Sequence, residues 1–120
     1  MLPRQRENAR TIIAVGKGHG VPQRGQVVAI ATALQESHLC NLRFGDRDSV
    51  GLFQRRTSVG WGSVAEINHT VKSSRAFHGV ASHTSNGGLL DIRGWQQMSI
   101  TQAAQAVQCR NKLRSEHSLT

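Results

Sequence analysis

Residues 23–37 read QRGQVVAIATALQES, and the way this stretch folds decides how the rest of the chain is read. Val27, Val28, Ile30, Ala31 and Leu34 make it apolar nearly all round. A buried strand over VVAIAT is the alternative, but the run is long and rich in alanine, which favours helix. A helix with apolar residues on every side belongs at the centre of a domain, so the stretch predicts a buried central helix. Pro22 suits its first turn. Gly25 lowers its helix propensity.

On the N-terminal side, Ala9, Ile12, Ile13 and Val15 recur at three- and four-residue spacing and predict an amphipathic helix over about 5–15. Gly16, Gly18 and Gly20 are then expected to stop it. The GKGHG run lacks the spacing and the Ser/Thr of a phosphate loop, and reads as a helix cap and turn. On the C-terminal side an irregular Gly/Asp/Arg/Ser segment covers 41–63. Helices are predicted over Val64 to Ile67 and over about Thr70 to Val80, the latter burying Val71, Ala76 and Val80. SHTSNGG is a loop. A last helix begins at Ser99, with Gln102 as its capping-box partner, and has Ile100, Ala103, Ala104 and Val107 on its apolar face. From about 110 the chain turns polar, and a frayed tail is expected over 110–120. The sum is an all-α single domain, 1–120, of roughly five helices around a central buried helix.

Composition bounds the function. With 120 residues there is room for one compact domain. Tyrosine is absent, so the core must come from Ala, Val, Ile, Leu, three phenylalanines and two tryptophans. Trp61 and Trp95 sit in VGWGS and RGWQQ, either as buried wedges under loops or as exposed platforms; burial is the expectation for large aromatics. The net charge of +8 implies attraction to polyanions such as nucleic acid, anionic lipid or acidic wall polymers. Basic residues are scattered, so a dedicated nucleic-acid arm is not expected. Cys40 and Cys109 are too few for a disulfide scaffold, and one bridge or two free thiols both remain open. Neither HExxH nor CxxC occurs, and no metal or cofactor is expected. The start, MLPRQRENAR, lacks the apolar run of a secretory signal, and no run of 18 apolar residues occurs. Such a chain is expected either inside the cell or as a mature or excised domain.

Glu36 stands at the end of the central helix, with Leu34 and Ile30 behind it, where core is expected to meet cleft. Partial desolvation there would hold a carboxyl protonated and fit it for general-acid work; the plain alternative is a helix-terminal glutamate in solvent. Downstream, FGDRDSVGLFQRR places Asp46 and Asp48 in turn chemistry, either capping the loop or serving a reaction. Gly51 in the GLFQ turn allows close backbone approach, Gln54 offers an amide, and Phe53 reads as core.

The combination QESHL, then GDRDSVGLFQ, resembles the lysozyme-like lytic transglycosylase and goose-type lysozyme superfamily. The wider set TIIAVGKGHGVP, VVAIATALQES, DSVGLFQRR, GWGSV and GWQQMSITQAAQAVQ is similar to small secreted lysozyme-like domains of actinobacteria, over most of 8–108. The resemblance implies a peptidoglycan-cleaving glycosidase, a lytic transglycosylase or muramidase at the MurNAc–GlcNAc bond, acting outside the cell or in the wall. It implies Glu36 as general acid/base, Asp46 with Asp48 as its competitor for a water-positioning role, and Ser37, Gly51, Phe53, Gln54, Trp61 and Gln108 around the substrate. Peptidoglycan glycan strands and anionic wall polymers are the implied partners, with no specific nucleic acid and no membrane span. Departures fall at Arg56, where a goose-type lysozyme carries a second aspartate, at His78, where relatives carry tyrosine, and in the tail after Gln108. These keep a catalytically weakened wall-binding domain open. A nucleic-acid-binding module and a cysteine peptidase built on Cys40 are weaker alternatives, since no local signature supports either.

Overall fold

The computed structural model describes residues 1–118, with side chains described as far as Cys109. The side chains of 110–120, where the frayed tail is expected, lie outside the described residues. The elements are α1 (Pro3–Gly18), α2 (Gln23–Ser37), a hairpin of β1 (Ser49–Val50) and β2 (Arg55–Arg56), α3 (Val64–Ile67), α4 (Thr70–His78) and α5 (Ile100–Ser118). Three single turns of 3-10 helix lie between these elements. The fold is therefore mostly helical. The two-stranded hairpin is the part an all-α reading leaves out.

α1 runs through Gly16 instead of stopping there. The reason is packing. A Cβ on Gly16 would come within 3.0 Å of Gln26 Cγ and 3.2 Å of His78 Nε2, so the missing side chain lets α1 lie close against α2 and α4. The helix stops two residues later, and Gly20 takes the left-handed conformation (φ 71°).

α2 begins just after Pro22, and it is not buried all round. Val28, Ala29 and Ala33 are fully covered, whereas Val27 and Leu34 are 47% and 40% exposed. The apolar residues on one side of α2 thus stay in water, and its buried stripe is narrower than the sequence predicts. Its end is built with care. His38 and Leu39 both adopt positive φ, 55° and 62°, which disfavours non-glycine residues by ~1–2 kcal/mol each. Full burial of the Leu39 side chain, worth ~1.5–3 kcal/mol, offsets much of that. Gln5 and Asn8 of α1 donate to the His38 and Leu39 carbonyls, each at 2.8 Å. Position 36 is thereby fixed relative to the core.

The core joins α1, α2, α4 and α5 through Ile12, Val28, Phe53, Phe77, Trp95 and Val107. Phe53 stacks on Phe77 with centroids 4.8 Å apart. Both tryptophans are buried, at 4% and 3% exposure, as expected. α4 ends at His78, short of Val80; it buries Ala76 as predicted, with Phe77, but Val71 and Val80 are only half-buried, and Ser73, Ser74 and His78 take inward positions. α5 starts with the expected reciprocal cap: the Gln102 N–H donates to Ser99 Oγ, and the Ser99 N–H to Gln102 Oε1. Among the described residues no helix is long and apolar enough to cross a membrane.

Candidate functional site

A cleft of about 700 Å³ opens between the C-terminal half of α2, the hairpin and α5. Glu36 and Thr32 line it from α2, Gln54 and Arg55 from the hairpin, and Gln108 from α5. Asp46, Arg47 and Trp61 complete its charged and aromatic edge.

Glu36 is exposed, so the partial burial expected of it is absent. It is held nonetheless. Gln108 Nε2 donates to Glu36 Oε2 and to the Phe53 carbonyl, both at 2.8 Å. One amide thus ties the carboxylate at the end of α2 to the turn of the hairpin. Gln108 Oε1 is buried with no hydrogen-bond partner among the described residues.

The turn itself is anchored from below. Ser37 Oγ shares its one proton between the Leu52 carbonyl at 2.7 Å and the Ala33 carbonyl at 3.1 Å. Ser37 is buried and does not line the cleft; it sets the distance between helix end and turn instead of meeting a ligand. Gly51 is likewise absent from the cleft wall. At φ 86° it brings the backbone against Ile67, whose carbonyl oxygen would lie 2.8 Å from any Cβ, so its close approach is to the protein and not to a substrate. Phe53 is core. Of the expected ligand contacts from the GLFQ turn, only Gln54 reaches the cleft, with φ 49° and its amide donating to the Gly51 carbonyl at 3.1 Å.

The two aspartates separate. Asp46 is exposed on the cleft edge. Asp48 is outside the lining and fully engaged: it accepts from Arg56 Nε at 2.5 Å, and from Thr57 Oγ1 and the Ser58 N–H at 2.9 Å each. The Arg56 bond, followed by the Ser58 backbone bond, holds its carboxyl far below the usual carboxylate range. Asp48 therefore clamps the hairpin to the following turn. Trp61 lies under the cleft as a buried wedge that reaches its wall.

Sequence reading passes over Arg55. Paired in register with Val50, it points inward and is only 6% exposed. Its guanidinium carbon sits 3.5 Å over the Trp61 ring centroid, with Phe77 and Phe53 at 5.8 and 6.0 Å. None of its three side-chain nitrogens has a hydrogen-bond partner among the described residues. Burial pushes its pKa down to about 9, and the Glu36 charge pulls the other way, so Arg55 stays cationic at neutral pH. Stacking on tryptophan is worth ~2 kcal/mol when desolvated. Burying an ion costs several kcal/mol, so the stack does not compensate the charge. The register accounts for this: Arg55 pairs directly with Val50, and paired residues share one face of the hairpin.

Cys40 and Cys109 are free thiols, and the described residues include no cluster of three metal-ligating side chains. No family model matches the chain, and no curated protein matches it.

Proposed function

We propose that the chain is a lysozyme-like, peptidoglycan-cleaving glycosidase, with Glu36 as the general acid/base acting on the MurNAc–GlcNAc bond. The observation that carries this reading is Glu36 on the wall of a 700 Å³ cleft, with its Oε2 fixed by Gln108. Glycosidic cleavage needs an acid to protonate the leaving oxygen and a second group to stabilise or capture the cationic sugar. Glu36 supplies the first. For the second, Asp48 is engaged by Arg56, and Arg56 stands where a goose-type lysozyme has an aspartate. Asp46 is the one aspartate left on the cleft edge. Arginine at position 56 favours the lytic transglycosylase branch. There Glu36 protonates the leaving oxygen and the substrate's own 2-acetamido oxygen captures C1. The Glu36 carboxylate then takes the C6 hydroxyl proton as O6 displaces the acetamido oxygen and closes the 1,6-anhydro ring. Action would be in the wall or outside the cell, and the net charge of +8 would concentrate anionic wall polymers around the cleft.

The exposure of Glu36 favours a second reading, a wall-binding domain with weakened catalysis, because a solvated carboxylate has less of the environment that general acids use. Mass spectrometry of fragments released from purified peptidoglycan separates the two. The expected products end in 1,6-anhydromuramic acid. Reducing ends would move the assignment to the hydrolytic branch, and binding without fragments would establish the second reading.

A further inference from the structure

We propose that Arg55 forms an anion subsite in the floor of the cleft and that this subsite takes a carboxylate carried by the ligand. The identity of the carrier as a saccharide rests on the reading above; the carboxylate subsite does not.

Arg55 carries a buried charge that meets the Glu36 carboxylate only through space, with no hydrogen bond or ion-pair contact among the described residues. Arg55 is 6% exposed, its three nitrogens lack partners among the described residues, and no ion pair reaches it. Two spaces adjoin it. The one lined also by Ile67, Ser73 and His83 has a volume of about 10 Å³, too small for anything larger than a water molecule. The 700 Å³ cleft, which Arg55 also lines, has the room for an anionic partner.

The arrangement narrows the anion. Trp61 covers one face of the guanidinium, so the planar edge is what remains to be used. A forked N–H edge matches the two coplanar oxygens of a carboxylate. Phosphate also accepts two such bonds, but Glu36 and Asp46 share the cleft and repel a dianion more than a monoanion. Arg47 and Arg56 line the same space without being equivalent. Arg47 is exposed to water, and Arg56 is already paired with Asp48. Gln108 lines the same cleft, and its Oε1 also lacks a hydrogen-bond partner among the described residues.

The test uses the full chain and two kinds of probe. Sodium acetate and inorganic phosphate are titrated at constant ionic strength while the Arg55 Nε–H resonance is followed by NMR. Separately, a peptide-free GlcNAc–MurNAc tetrasaccharide with free lactyl carboxylates is compared by calorimetry with its methyl ester, on wild type and Arg55→Met. The expected results are a saturable shift with acetate, and roughly tenfold tighter binding of the free acid than of the ester in wild type alone. Acetate binding with neither saccharide bound would keep the subsite and remove the glycan reading. Equal binding of acid and ester with acetate silent would keep the glycan reading and overturn the subsite. A response to phosphate but not to acetate would overturn the carboxylate assignment. The acid-to-ester ratio is read on wild type, so it stands even if the variant folds poorly.

Discussion

His78 and Arg55 are both basic and both buried, yet they meet that condition in opposite ways. His78 lies at the contact of α4 with α1, fully enclosed, beside Gly16. Burial pushes its pKa down to about 4, with the Ile12 backbone pulling it back and His19 adding to the depression, so it is neutral at pH 7. Arg55, under the hairpin, has no neutral form within reach of physiological pH. A titratable group in the helical core can discard its charge and become packing. A guanidinium at the cleft floor cannot, and it keeps its charge beside the cleft.

The larger consequence belongs to His78. Its ordinary pKa is about 6.5, so between pH 6.5 and about 4 the unfolded chain binds a proton that the folded chain refuses. Stability is therefore complete above pH 6.5 and falls as pH drops, by ~3 kcal/mol at pH 4 if each pKa unit is worth ~1.4 kcal/mol. Asp48 and Glu66, whose pKa values are lowered, add their losses below about pH 4.5, beneath most of this window. Urea unfolding at several pH values should show uptake of close to one proton per molecule across it. A flat profile from pH 6.5 to 4.5 would break the contrast, because His78 would then be protonated or solvated in the folded state.

Arg55→Met sharpens the other side. Replacing buried charge with an apolar side chain is often stabilising by ~1–4 kcal/mol. Here the stack on Trp61, worth up to ~2 kcal/mol, is lost with it. The net expectation is a gain of ~1–2 kcal/mol in denaturant unfolding at pH 7. A loss of that size would mean the guanidinium already has a stabilising partner in the free protein, and the comparison with His78 would collapse.

Helices were legible where local chemistry alone decides them. α3 has the bounds its spacing predicts, and α5 has the cap that Ser99 and Gln102 announce. Reading failed where tertiary contact overrides the local signal. Gly16 looks like a stop but serves as a close-approach point inside α1. Val27 and Leu34 belong to an apolar pattern, yet they face water because the neighbouring helices cover only part of α2. At the site, Glu36, Gln54 and Gln108 share one cleft although Gln108 lies 72 residues from Glu36 in sequence. Ser37, Gly51 and Phe53 carried the right local pattern but act beneath the cleft. Arg55 was hidden because an arginine in a polar run reads as solvated; only its strand register turns it inward.

Glu36 is the group proposed to perform the proton transfer in this cleft. Glu36→Gln keeps the shape of the side chain and can still meet Gln108 through its amide oxygen, but it has no proton to transfer. A positioned acid contributes ~10²–10⁴-fold to rate. The direct measurement is fragment release from purified peptidoglycan by wild type and Glu36→Gln, alongside thermal unfolding and co-sedimentation with the wall. The expected rate is reduced at least ~10²-fold, with unfolding temperature and wall binding close to wild type. Fragment release by Glu36→Gln at the full wild-type rate would contradict it.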